Sequence, residues 1–333
     1  MTRLDLLQID LTDECPLFCS HCSNSSGPQL ESALRYSVVE EAVLDAAHLG
    51  CQDITLSGGE PLRYADLSRI LALCRKLGMN STIFTTGVRD KKTRLPLCGS
   101  EWEELKTLGL NTAVFSVYSG PANREFHNRI VRLRPVGMQD AFEVNELGIL
   151  RARNAGIVVE LQFVPSDETC SELPAIAIWA AKLGASRLHI QYPTDQGRNQ
   201  HSATLVVSAG PETILRENAF ALSSGSDIRI HISRLWCSKW GIDSETPQRT
   251  QIIVRSDGAV SLCNACKYIV EQVRHPNIYR QALRHIWKDE KWRNAPCECS
   301  THSNRQSGQS SAAPGSSDMH TVRANDLLSS RAE

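Results

Sequence analysis

The chain has 333 residues, with 36 Lys and Arg against 37 Asp and Glu and a formal net charge of −1. That balance gives no global basic bias toward nucleic acid or an anionic membrane. No segment approaches the roughly 18 consecutive apolar residues of a membrane span, and the start MTRLDLLQIDLTDE lacks a signal-peptide apolar run. The expectation is a cytoplasmic protein with no membrane or nucleic-acid partner.

From residue 6 to residue 193 strand-like and helix-like segments alternate. The strand-like runs are 6–12, 52–58, 80–87, 111–119, 157–165 and 186–193, rich in Ile, Val, Leu, Phe and Thr as buried parallel strands are. Apolar residues at helical spacing mark helices at 38–50, 67–78, 101–109, 139–156 and 173–184, each closing on Gly just before the next strand. Gly in the left-handed position after a helix is the usual αβ loop. Repeated βα units with right-handed crossovers give a parallel sheet with helices outside. Six units are too few for a closed eight-fold barrel, so residues 1–200 are expected to form an α/β, partial (β/α)6 TIM-like barrel. Chemistry in such folds sits at the C-terminal ends of the strands.

Past residue 200 the alternation stops. Residues 201–224 are expected to hold a connecting helix near 211–222, and residues 225–300 a small Cys-rich unit. That unit has a strand-like IRIHI (228–232), a hairpin pattern over 251–263 around Ser256-Asp257-Gly258, and a helix over 280–294. Residues 301–333 are low in complexity and nearly free of large apolar side chains, which predicts a disordered tail.

Twelve cysteines are many for a reducing compartment, where metal or catalytic roles outweigh disulfides. Cys51, Cys74, Cys98 and Cys170 are isolated and read as packing or incidental surface thiols. Cys15, Cys19 and Cys22 crowd into the loop after the first strand. Structural zinc wants four ligands, and here no fourth lies near, since His21 has poor reach to the same ion. Three thiolates suit a [4Fe–4S] cluster with one iron left open, and zinc is the competing reading.

Cys15-x3-Cys19-x2-Cys22 after the first strand, followed by LSGGEP after the second, resembles the radical S-adenosylmethionine (SAM) superfamily. The resemblance implies that Cys15, Cys19 and Cys22 hold a [4Fe–4S] cluster whose open iron chelates SAM, and that reductive cleavage of SAM releases a 5′-deoxyadenosyl radical that abstracts a substrate hydrogen. It implies SAM contacts for Gly58, Gly59, Glu60 and Pro61 and for Thr85 in the TTG turn, where the family has TTNG. His21 stands where an aromatic commonly packs near adenine, Ser116 where many members place a ribose-binding hydroxyl, and Gln162 is a further ribose or carboxylate candidate. The alternative for Thr85, Ser116 and Gln162 is a satisfied polar group at a strand end.

The late cysteines carry a second resemblance. Cys237, then RSDGAVSLC ending at Cys263, then a helix containing Ile-Trp and Cys297-x-Cys299, is similar to the SPASM extension or its shortened twitch form. This implies one auxiliary [4Fe–4S] cluster on Cys237, Cys263 and Cys297 with Cys299 or Cys266 as fourth ligand; a zinc ribbon competes. If not a ligand, Cys266 is a candidate hydrogen donor. Tyr118, Tyr192, Arg198 and His127 are expected near the mouth, as substrate-binding or proton-moving groups.

The resemblance implies an electron donor such as flavodoxin or ferredoxin. The first Cys falls at residue 15, so an N-terminal leader-binding domain is not expected and a separate leader-peptide recognition protein can take its place. The substrate expected is a ribosomally made peptide undergoing cross-linking, oxidation or epimerisation. The alternative is a dehydrogenase or epimerase acting on a sugar or aminocyclitol. Outside enzymes, a non-catalytic Fe–S or zinc protein is the remaining reading, which GGEP and the open-site cysteine loop disfavour.

Overall fold

The computed structural model describes residues 3–133, 137, 140–202, 205–242, 250–262, 276–294 and 319–320. Six parallel strands follow the expected alternation: β1 (Leu6–Thr12), β2 (Asp53–Gly58), β3 (Asn80–Thr85), β4 (Leu110–Val117), β5 (Val158–Phe163) and β6 (Arg187–Ile190). The helices between them are α1 (Tyr36–His48), α2 (Leu67–Lys76), α3 (Gly99–Leu108), α4 (Arg124–Val131), α5 (Ala141–Asn154) and α6 (Leu173–Leu183). The intervening Gly50, Gly78, Gly109, Gly156 and Gly184 all take positive φ, as the αβ-loop pattern requires. Of these six helices, α4 alone has no counterpart in the sequence reading; at eight residues its periodic signal is two turns long.

The chain continues through α7 (Asn199–Ser202), α8 (Ala209–Gly225), β7 (Arg229–Ser233), α9 (Arg234–Lys239), β8 (Gln251–Val254), β9 (Val260–Ser261), α10 (Leu283–Lys288), α11 (Glu290–Arg293) and β10 (Met319–His320). Among the described residues all strands form one sheet, ordered β10-β7-β6-β5-β4-β3-β2-β1-β8-β9. The strand expected over 228–232 is therefore β7, added parallel to β6 with Arg187 opposite Arg229. The expected hairpin exists as β8–β9, but β8 also pairs parallel with β1, Leu6 opposite Gln251. Both edges of the open six-stranded barrel are thus covered by later chain, which removes a row of unpaired backbone groups. The helix expected over 280–294 is broken at Asp289, whose extended backbone and carboxylate cap the second piece by accepting from the Trp292 N–H at 3.1 Å. Of the tail expected to be disordered, the structure describes Met319–His320, a two-residue strand antiparallel to β7; the rest lies outside the described residues.

The core lies between sheet and helices. Leu7, Ile9 and Leu11 of β1, Ile54 and Leu56 of β2 and Phe115 of β4 are fully or almost fully buried. Burying each such side chain contributes about 1.5–3 kcal/mol. The alternate residues face the barrel interior, and there the strands carry polar groups. Among the described residues no helix is long and apolar enough to cross a membrane.

Candidate active site

The cysteine loop leaves β1 and returns on itself. Cys15 N–H donates to Gly27 O at 3.2 Å and Gly27 N–H to Asp13 O at 3.1 Å, closing the loop at its root. Arg198, arriving from beyond β6, holds the loop's middle. Its Nε donates to Cys19 O and its Nη2 to Ser26 O, both at 2.7 Å, its own N–H reaches Cys22 O at 3.0 Å, and its guanidinium lies over the Phe18 ring at 4.2 Å. Asn24 ties the loop to the next strand by donating to Gly58 O at 3.0 Å.

The two glycines of GGEP are dictated by this loop root. Gly58 sits at φ +115°, and a Cβ there would lie 2.5 Å from Thr12 O; a Cβ on Gly59 would lie 2.2 Å from Glu14 O. The absent side chains let Gly59 N–H donate to Thr12 O at 2.6 Å and Glu60 N–H to Glu14 O at 2.8 Å. Glu60 itself is fully buried. Its Oε1 accepts from Thr85 Oγ1 at 2.6 Å and Leu62 N–H at 3.2 Å, and its Oε2 from Thr86 Oγ1 at 2.6 Å and Thr86 N–H at 2.8 Å. Burial pushes its carboxyl above the usual range while those bonds pull it back. GGEP and TTG are therefore one unit, joined through a carboxylate.

A cavity of about 730 Å³ runs through the barrel interior. At the strand ends it is lined by Cys15, Cys19, Cys22 and His21, with Gly58 and Gly59 beside them. Thr85, Ser116, Tyr118, His127, Gln162 and Tyr192 line its walls. Glu60, Pro61 and Arg198 are not in the lining; they hold the wall from behind. Burial pushes Cys15 up and Cys19 up to about 12, and each neighbouring thiolate raises them further. Three soft donors that repel one another as thiolates are a donor set that fits a cationic iron cluster. Ser26 Oγ, His21 Nδ1 and Asn145 Oδ1 are buried, lack a protein partner and belong to residues lining the same space, which fits a polar ligand such as SAM beside the thiols. His21 packs on Tyr118 with ring centroids 4.4 Å apart, and Tyr118 on His127 at 5.5 Å. Burial lowers His21 to about 3 and His127 to about 4, so both imidazoles are neutral.

Of the expected auxiliary ligands, Cys237 lies buried in α9 with its thiol directed at Ile232 O, and burial pushes it up to about 11. Cys263, Cys266, Cys297 and Cys299 lie outside the described residues. Cys51, Cys74 and Cys170 are buried packing thiols and Cys98 is exposed, as their isolation in sequence suggests.

Sequence reasoning passed over one polar constellation. Glu160 on β5, His189 on β6 and His231 on β7 are joined: His189 Nε2 lies 2.6 Å from Glu160 Oε2, and the two Nδ1 atoms lie 2.7 Å apart. The signal was present as alternation in RLHIQ and RIHIS, where a polar residue repeats on the inward face of an otherwise apolar strand.

A parallel partial barrel with a three-cysteine loop at its C-terminal mouth defines a class of enzyme fold, and the comparisons agree with it. Residues 9–165 match the model of the radical SAM superfamily, and residues 247–311 match that of SPASM, an iron-sulfur cluster-binding domain. The chain carries a radical SAM domain followed by a SPASM domain. It is 34% identical to a PqqA peptide cyclase of Methylorubrum extorquens (strain PA1) over 56% of this chain and 46% of that one, so it spans about half the length of that relative. It is 26% identical to the PqqA peptide cyclase of Gluconobacter oxydans (strain 621H) over 91% of this chain and 84% of that one. Its fold is similar to that of Streptococcus suis SuiB, solved bound to precursor peptide SuiA, with TM-score 0.69, 16% identity, and coverage of 89% of this chain and 67% of that one.

Proposed function

We propose that this chain is a radical SAM peptide-modifying enzyme, one that reductively cleaves SAM and uses the 5′-deoxyadenosyl radical to abstract a hydrogen from a ribosomally made peptide. The observation that carries the reading is the single cavity shared by Cys15, Cys19 and Cys22 at one end and by Ser116, Gln162 and Tyr192 along its walls. Bound there, the cluster and SAM supply the electron and the radical; the chain's own residues position and enclose them. Arg198 and Asn24 fix the cysteine loop, Glu60 fixes the two neighbouring turns, and the neutral His21 presents a flat face beside the thiols. Enclosure in the barrel keeps water from the radical.

The peptide substrate is supported by the PqqA peptide cyclases among the relatives and by the SuiB structure with its precursor peptide. The SPASM match over 247–311 supports one auxiliary [4Fe–4S] cluster drawn from Cys237, Cys263, Cys266, Cys297 and Cys299. A flavodoxin or ferredoxin as electron donor, and a separate protein that presents the peptide leader, complete the proposed set of partners.

The test is co-expression with small peptides encoded beside the gene, followed by mass spectrometry. The reading predicts a mass change in one peptide that disappears in Cys19→Ala. Unchanged peptides, together with conversion of a sugar or aminocyclitol, would move the chain to small-molecule chemistry.

A further inference from the structure

The register of the sheet places Ser116, Gln162, His189 and His231 opposite one another in a single row across β4, β5, β6 and β7. All four line the cavity, so the row begins beside the cysteine loop's neighbours and ends on two buried histidines. One step lower, Glu160, Arg187 and Arg229 form the next row, and Arg187 lies 3.5 Å from Glu160. Glu160 is held below the usual carboxylate range by His189, Arg187 and Arg229 against the opposing effect of burial. It is therefore an anion at the base of the pair.

The protons follow from these contacts. An ionised Glu160 can only accept, so His189 Nε2 carries a proton. Two facing Nδ1 atoms at 2.7 Å need one proton between them. With that proton on His231, both rings are neutral and Nε2 of His231 carries a lone pair. With it on His189 and a second proton on His231 Nε2, His189 is an imidazolium paired with Glu160 while His231 stays neutral. The arrangement thus has an empty and a loaded state that differ by one proton.

We propose that His231, positioned by His189 and Glu160, accepts the proton that the substrate releases when it is oxidised. A substrate C–H, N–H or O–H bond breaks with its electron pair staying on the substrate, and the proton bonds to His231 Nε2. The proton on His231 Nδ1 passes to His189 Nδ1, leaving imidazolium against the Glu160 carboxylate. One proton leaves the substrate, one enters the pair, and no electron moves in this step. The proposal rests on the radical SAM reading above, and it adds an acid–base partner on β5, β6 and β7 to that reading.

Two measurements on the cluster-reconstituted full chain test it. With ¹⁵N-labelled histidine, proton NMR should show a far-downfield resonance coupled to nitrogen, lost in both His189→Gln and His231→Gln. Its absence in the wild type, or its survival in both variants, overturns the shared-proton geometry. With the peptide identified by co-expression, His231→Gln and His231→Asn should release 5′-deoxyadenosine as the wild type does while product per 5′-deoxyadenosine falls by about 100-fold, as loss of a general base does. Glu160→Gln should lower the same ratio less. A wild-type ratio in both His231 variants, or a parallel loss of 5′-deoxyadenosine and product in folded protein, overturns the relay. A wild type that releases no 5′-deoxyadenosine overturns the enzyme reading instead.

Discussion

Glu60 and Thr86 are bound to each other twice through one oxygen: Oε2 accepts from the Thr86 N–H at 2.8 Å and from its hydroxyl at 2.6 Å. With Thr85 on the other oxygen, the carboxylate locks the turn after β2 to the turn after β3. Glu60→Ala leaves these buried donors unpaired and should lower the unfolding free energy by about 3 kcal/mol or more. Glu60→Gln keeps an acceptor, and the hydroxyls can turn, so about 1–2 kcal/mol is expected. Urea unfolding of the two variants checks the order, and SAM affinity should follow it.

That lock shows where sequence reading stopped. GGEP and TTG were visible as strand-end motifs, but their hydrogen bonds connect side chains 25 and 26 residues apart. Local pattern reads an element, while pairing needs the fold. β1 was legible to the residue as Leu6–Thr12, yet its second neighbour, β8, lies at Gln251–Val254. The strand at 228–232 was legible as a strand, though its place beside β6 was not. Asp289 breaks a helix because its carboxylate competes for a backbone N–H, a choice that periodicity does not register. Arg198 reads as a substrate-facing cation in sequence, and only the folded loop presents the carbonyls of Cys19 and Ser26 to it.

Gly58, Gly59 and Gly78 are not equivalent: Gly58 and Gly78 have positive φ, and Gly58 and Gly59 are closely approached by backbone. Gly58→Ala combines left-handed strain of about 1–2 kcal/mol with a 2.5 Å clash on Thr12 O. Gly59→Ala meets Glu14 O at 2.2 Å. Overpacking of this kind costs about 1–3 kcal/mol. Gly78→Ala at φ +70°, with nothing within 4 Å, should show the strain alone. Thermal unfolding should rank Gly58→Ala as most destabilised and Gly78→Ala as least, with SAM binding lost only in the first two.

Arg198→Ala should leave the far-ultraviolet circular dichroism unchanged and weaken iron retention by about 10-fold, as loss of groups that orient metal ligands does. Arg198→Lys should recover little, because one ammonium cannot span the carbonyls of Cys19 and Ser26 as a planar fork does. Iron per chain after repeated desalting is the readout.

His127 is fully buried and lowered to about 4 by burial, with Asp140 opposing the shift. The unfolded chain, at the ordinary value of 6.5, binds the proton first, so this contribution to stability is complete above pH 6.5 and is lost as pH falls toward 4. At about 1.4 kcal/mol per pH unit the loss approaches about 3 kcal/mol. His127→Phe, which cannot titrate, should flatten that part of the stability profile measured by urea unfolding from pH 7 to pH 4.

The most direct test of the whole account is release of 5′-deoxyadenosine by the anaerobically reconstituted chain given reductant and SAM. The account predicts 5′-deoxyadenosine and methionine from the wild type and neither from Cys15→Ala, Cys19→Ala or Cys22→Ala, each of which removes one thiol from the cavity mouth. Stoichiometric zinc with no SAM cleavage in the wild type would contradict it.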